Sequence, residues 1–232
     1  MKTVFITGTD TDAGKTYVSV LLLKAINQKC FKTIAFKPIA AGCEQTVQGL
    51  QNDDALQLQT AANVSIPYNL ANPIALEPAI APHIAAAQLG KPIDMLLVSK
   101  TLADLQCLTA DLLLIEGAGG WRLPVALPAL DKSARIKFLS EFVMEHKMSV
   151  VLVVGMKLGC LNHAALTFEQ IKRDGCQLVG WVANQIDPNM LNYAENLKSL
   201  AALIDAPMLA EVTHGQKTLN ANDEVLGRLI SS

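Results

Sequence analysis

The chain has 232 residues, of which 51% are hydrophobic and 17% charged, and a formal net charge of -2. This is enough apolar material for one sizeable core, and no basic stripe is present to bind nucleic acid or an anionic membrane surface. Five cysteines (Cys30, Cys43, Cys107, Cys160 and Cys176) lack CxxC or metal-type spacing, which fits free, mostly core thiols in a reducing cytoplasm, and no apolar run reaches a membrane span.

In chain order, the first apolar run, Thr3 to Thr7, reads as a buried strand. The string GTDTDAGKT, Gly8 to Thr16, follows it and opens a helix-like segment, Lys15 to Gln28. Strand, glycine loop, Lys-Thr and helix make a phosphate loop: backbone N–H groups and the helix start attract phosphates, Lys15 reaches the terminal phosphates and the Thr16 hydroxyl can ligate magnesium. Five residues separate Gly8 from Gly14, one more than in the common pattern. A second strand, Thr33 to Phe36, ends at Lys37 in FKPIAAG. There a lysine can meet an anionic substrate or a phosphoryl group in transfer, or simply extend out of the strand end. Asp53 and Asp54 stand at a helix start, where one caps and the other is a candidate metal ligand.

Pro67 to Pro82 is apolar and proline-rich, and reads as an ordered irregular crossover rather than a domain linker. The third strand, Asp111 to Ile115, leads into Glu116 and then Gly117, Ala118, Gly119 and Gly120. A carboxylate at that sheet edge, with glycines permitting close backbone approach, suits a metal or phosphate site. Trp121 to Ser133 reads as a mobile surface loop. A helix, Ile136 to Glu145, precedes the fourth strand, Ser149 to Val154. GMKLGCLNHA follows, in which Gly159 and Cys160 begin a helix able to hold a carboxylate or, equally, form a glycine turn capped by Asn162. Helices at Ala164 to Asp174 and Leu191 to Ile204 bracket a fifth strand, Leu178 to Val182, beyond which Asn184 can pair with adenine or serve a turn. His83, His146, His163 and His214 lie apart without companion ligands. Alternating strands and helices predict a doubly wound, mostly parallel α/β sheet in a single P-loop NTPase-like domain over residues 1–232.

Taken together, GTDTDAGKT, FKPIAAG, NDDAL (Asn52 to Leu56), EPAIAPHIAAAQ, IEGAGGW, VVGMKLGCLNHA and GWVANQ resemble the blocks of the dethiobiotin synthetase family, in that family's order, across residues 1 to about 190. The resemblance implies ATP- and Mg²⁺-dependent insertion of CO₂ between the two amines of 7,8-diaminononanoate, giving dethiobiotin, ADP and phosphate through a carbamate and a carbamic-phosphoric anhydride. It implies a catalytic set of Lys37, Lys15 and Thr11, with Thr16, Asp54 and Glu116 as metal ligands. ATP would meet Asp12, Ala13, Gly14, Lys15, Thr16, Tyr17, Asp54, Glu116, Gly117, Ala118 and Gly119. Its adenine would lie against Asn184, Gln185 and a loop carrying Pro207, Met208 and Leu209. The diamine would touch Asp12, Lys37, Ala41, Gly159, Cys160, Leu161 and Asn162, in a homodimer with substrate near the interface.

Asp12 stands where the family commonly has a longer glutamate, and Ala41 where some members carry serine. The stretch after Trp121 and the segment from Thr213 match nothing assignable. A partitioning or site-selecting ATPase switch is the main alternative. Such proteins usually carry a second lysine at the front of the loop, which GTDTD lacks, and no basic amphipathic tail is present here. An amidotransferase-type ligase would need a glutaminase module for which the length leaves little room.

Overall fold

The computed structural model describes residues 1–126, 135–219 and 222–230. Its centre is a six-stranded, all-parallel sheet of β1 (Lys2–Gly8), β2 (Thr33–Phe36), β3 (Leu112–Gly120), β4 (Ser149–Gly155), β5 (Leu178–Asn184) and β6 (Met208–Val212), in the order β6-β5-β4-β1-β3-β2. Around it lie α1 (Lys15–Asn27), α2 (Asp53–Ala61), α3 (Tyr68–Ala71), α4 (Pro82–Gln88), α5 (Met95–Gln106), α6 (Leu139–Glu145), α7 (Cys160–Arg173), α8 (Tyr193–Leu203) and α9 (Asp223–Ile230).

Period-two burial explains the layering. Val4, Ile6, Val151 and Val153 face one core with Leu22 and Ile26 of α1, Leu58 of α2 and Leu226 of α9. Phe5, Val150, Leu152 and Val154 face the other with Leu102 of α5, Phe142 of α6, Ile171 of α7 and Leu200 of α8. Strands buried on both faces read as continuous apolar runs, and each fully buried leucine or isoleucine contributes roughly 1.5–3 kcal/mol.

The doubly wound sheet is as expected, and the second strand matches its expected bounds, Thr33–Phe36. Several expectations need correction. Glu116 does not end β3; the strand runs on through Gly120, because Gly120 pairs alongside Gly8 after an irregularity. The helix expected from Ile136 starts at Leu139. Lys137–Phe138 instead pairs antiparallel with Pro124–Ala126, and Glu141 Oε1 accepts from Phe138 N–H at 3.1 Å. Of these, Pro124–Ala126 fall within the expected loop Trp121 to Ser133. Trp121 itself is buried and donates from Nε1 to Asp174 at 2.8 Å, while 127–134 lie outside the described residues.

α7 starts at Cys160, a turn earlier than Ala164. The crossover is ordered, and it holds α3 and a strand, Ile74–Leu76, that pairs parallel with Ile39–Ala41. α5 and β6 were not expected. Cys43 and Cys160 are buried, whereas Cys30 and Cys107 are exposed, so the thiols are not mostly core. Among the described residues no helix is long and apolar enough to cross a membrane.

Candidate active site

All six strands are parallel, so their carboxyl ends share one edge, and the glycine loop crosses that edge between β1 and α1. Asp10 caps a tight turn, Thr11–Ala13, and Gly14 then takes a left-handed φ of 81° before Lys15 opens α1. Glycine suits position 14, since a Cβ there would collide with Asn184 Nδ2 and the left-handed backbone would strain any larger residue. Lys15 folds back over the loop, donating to Asp10 O at 3.1 Å and Thr11 O at 3.0 Å. Burial drives its pKa down to about 8, Glu116 opposes that shift, and the charge of Lys37 adds to it. A bound phosphate would supply the missing counter-charge.

Beside the loop lies a buried cluster. Lys37 Nζ donates to Glu116 Oε1 at 2.6 Å and sits 3.1 Å from Asp54 Oδ2, and the Thr16 hydroxyl donates to the same Glu116 oxygen at 2.7 Å. Glu116 is 0% exposed and Lys37 5%. Neither is therefore a solvated surface residue. Burial works against the charge on Lys37, and Glu116 and Asp54 outweigh it, so its pKa is raised. The lysine is held in place through its backbone as well, where Lys37 N–H donates to Ala71 O at 2.8 Å and Lys37 O accepts from Asn72 Nδ2 at 2.7 Å.

Asp54 reaches the cluster from the first turn of α2. The cap of that helix is neither Asp53 nor Asp54 but Asn52, whose Oδ1 accepts from Ala55 N–H at 3.2 Å, leaving Asp54 free to face Lys37.

The donor set fits Mg²⁺. Glu116 Oε2 is buried with no hydrogen-bond partner, and an anionic oxygen left so costs several kcal/mol unless a cation or a donor meets it. Two carboxylates and a hydroxyl are what a small octahedral cation takes from protein when phosphate oxygens and water complete its shell. Among the described residues no group of three or more His, Cys, Asp or Glu forms a denser metal cluster.

A cleft of about 790 Å³ opens over these groups. It gathers Thr11, Asp12, Gly14, Lys15, Thr16, Tyr17, Lys37, Ala41, Asp54, Ala118 and Gly119 from the expected site, and adds Ala79, Ile80 and Leu123, which carried no sequence signal beyond their neighbours' blocks. Gly117 lies behind it, where a Cβ would come 2.7 Å from Phe5 Cζ, so its smallness serves packing of β3 on β1.

The remaining expected residues are placed elsewhere. Asn184 ends β5 under the loop, donating from Nδ2 to Ala13 O at 2.9 Å, with Gln185 next to it accepting from His214 N–H at 3.3 Å. Pro207, Met208 and Leu209 are not a loop at the nucleotide edge. Pro207 precedes β6, and Met208 and Leu209 begin it, Met208 pairing with Trp181 midway along β5. Thr213 and His214, just after β6, occupy the edge instead, with Gln216 O accepting from the Tyr17 hydroxyl. Gly159, Cys160, Leu161 and Asn162 begin α7 as expected but do not line the cleft; Gly159 occupies the cap position, and the Cys160 side chain is buried in the core. His83 faces a separate cleft of about 410 Å³ with Lys91 and Ile93, and His146 is the exposed residue that caps the C-terminus of α6.

Residues 2–222 match the family described as AAA domain. The ATP-dependent dethiobiotin synthetase BioD of Alteromonas mediterranea is 48% identical over 218 residues, covering 92% of this chain and 93% of the relative. That of Aeromonas salmonicida is 44% identical over 229 residues, covering 99% and 97%. The chain belongs to the dethiobiotin synthetase family. Among solved structures, the MinD cell division protein of Aquifex aeolicus superposes with a TM-score of 0.53 at 13% identity, covering 92% of this chain and 82% of MinD. The likeness to MinD is one of fold alone. At 44–48% identity over nearly the whole chain, the sequence relatives favour the synthetase family over an ATPase switch.

Proposed function

We propose that the chain is an ATP-dependent dethiobiotin synthase: a single synthetase domain of biotin biosynthesis that closes 7,8-diaminononanoate and CO₂ into dethiobiotin, releasing ADP and phosphate. The observation that carries this is the buried cluster of Lys37, Glu116, Asp54 and Thr16 on the floor of a cleft continuous with the phosphate loop. Such a site concentrates charge where a phosphoryl group would move and holds no histidine, so it suits transfer between oxygens better than proton abstraction.

In this reading one amine of the diamine takes up CO₂ as a carbamate. A carbamate oxygen attacks the γ-phosphorus of ATP, ADP leaves, and the second amine then displaces phosphate from the mixed anhydride to close the cyclic urea. Lys15 would hold the β- and γ-phosphates, Thr11 and Asp12 would stand between nucleotide and diamine, and Lys37 would neutralise the carbamate and the transferring phosphoryl group. Thr16, Asp54 and Glu116 would hold Mg²⁺, which offsets phosphate charge. Ala41 offers only its backbone and methyl group to the diamine. Asn184 and Gln185 would lie under the adenine side, with Thr213 and His214 better placed there than Pro207 to Leu209.

The start of α7 would serve the substrate carboxylate of a partner subunit in a homodimer. Leu158, 95% exposed, and Leu166, 60% exposed, flank it and support an interface there. The enzyme would act in the cytoplasm on small molecules, without nucleic acid or membrane partners.

The test is direct. Protein with ATP, Mg²⁺, bicarbonate and the diamine is expected to give dethiobiotin by mass spectrometry, with one ADP per product. ATP hydrolysis indifferent to the diamine, with no dethiobiotin, would rule the proposal out.

A further inference from the structure

The phosphate loop is held from outside as well as from within. Both carboxylate oxygens of Asp10 are engaged: Oδ1 accepts from Thr11 N–H at 2.7 Å, which caps the turn Thr11–Ala13, and Oδ2 lies 3.2 Å from Lys157 Nζ. The Thr11 N–H, and then Lys157, hold the Asp10 carboxyl below its ordinary range against the opposing effect of burial, so it stays charged at neutral pH.

Lys157 is anchored at its other end. It lies between Gly155, the last residue of β4, and Cys160, the first of α7, and its carbonyl accepts from Cys160 N–H at 3.0 Å, closing the turn that opens the helix. A second tie runs parallel to the first, from Gly155 N–H to Thr9 Oγ1 at 3.3 Å. Packing leaves little slack, since a Cβ on Gly155 would come within 3.0 Å of Ala13 Cα. One short segment thus grips the loop at residues 9 and 10 and starts α7 a few residues later.

Neither Asp10 nor Lys157 lines the cleft. Any effect they have on a ligand must pass through the backbone they hold, the turn Thr11–Ala13 that leads into Gly14. We infer that Lys157 and Asp10 are positioning residues, a strut that fixes the phosphate loop against the start of α7 and keeps the nucleotide site and that helix start in one register. The nucleotide half of this inference needs only a phosphate-binding loop. The diamine half rests on the proposed function, which gives the start of α7 to the substrate carboxylate.

The pair is partly exposed, 35% for the Lys157 side chain and 46% for Asp10, so it adds little to global stability. The signature should therefore appear in ligand binding and not in melting temperature. The full-length protein and the variants Lys157→Met, Lys157→Arg, Asp10→Asn and the Met/Asn double are compared by calorimetric titration with ADP and Mg²⁺, and by steady-state kinetics in the diamine. Lys157→Met and Asp10→Asn are each expected to weaken ADP about fivefold. The double should be no weaker than either single, because both remove one interaction. Lys157→Arg should restore binding to within about twofold, melting temperatures should stay within about 2 °C, and KM for the diamine should rise while kcat changes less.

Unchanged ADP binding in both single variants would overturn the strut. So would losses that add in the double, or an arginine variant as weak as the methionine one. A raised diamine KM with ADP binding intact would also overturn it, by placing Lys157 on the substrate itself. If the parent protein makes no dethiobiotin, the proposed function fails while the ADP titrations still judge the strut.

Discussion

The two halves of the sheet edge are built differently. At the ends of β1, β2 and β3 the chain buries charge: Lys15, Lys37 and Glu116 are all 5% exposed or less, and Asp54 and Thr16 close around them. At the ends of β5 and β6 it presents neutral groups, with the Asn184 amide fixed to Ala13 O and the Gln185 side chain to His214 N–H. One half offers charge, and the other offers shape and neutral hydrogen-bonding groups. The contrast suits a nucleotide whose triphosphate is charged and whose base is not.

The charged half is where a substitution should matter most. Lys37→Met is expected to lower turnover by about 10²–10³-fold while leaving ADP affinity within about threefold, because in the proposed reaction its charge stands where negative charge develops. It also strands Glu116, so the melting temperature should fall, since breaking a buried pair from one side costs about 3–5 kcal/mol. Adding Glu116→Gln should recover stability but not turnover. Stability and turnover recovering together would mean that Lys37 only holds the fold.

The neutral half should respond more mildly. Asn184→Ala removes one buried hydrogen bond to the loop, worth about 1 kcal/mol, which is about fivefold in ADP affinity, with kcat held within about twofold. Calorimetry and single-turnover kinetics separate the two. A loss of turnover as large as that of Lys37→Met would erase the distinction between the halves.

The same division governs how much was legible in the sequence. Charged residues beside glycine and proline at strand ends, such as Lys15 in GKT, Lys37 before Pro38 and Glu116 before Gly117, announce themselves because packing alone does not require them there. The uncharged supports do not. Asn52 looks like any polar residue, yet it caps α2 and thereby frees Asp54. Asp10 and Lys157 meet across 147 positions, a distance in sequence that no local pattern spans. α5 was readable in principle: Asp94 caps it and Val98, Leu102 and Leu105 fall at helical spacing, but it follows a stretch broken by prolines, the last of them Pro92. β6 is short and buries only Leu209 and Val212, with Glu211 between them, so MLAEV shows no long apolar run.

That missed strand sets up the smallest effect and the sharpest check on the neutral half. Pro207, Met208 and Leu209 were expected against adenine. In the parallel sheet Met208 pairs with Trp181, three positions before Asn184, whereas Val212 pairs with Asn184 itself. At about 3.3 Å per residue the two ends of β6 stand more than 10 Å apart along the strand, and only the later end reaches the nucleotide edge. Met208 is 41% exposed at the earlier end, so Met208→Ala should fold normally and bind ADP within about twofold of the parent, as surface substitutions generally do. Gln185→Ala, which removes the acceptor for His214 N–H at the later end, should weaken ADP by a few-fold. Parallel titrations decide between them. Weakening by Met208→Ala with Gln185→Ala silent would reverse the placement and return the adenine to the beginning of β6.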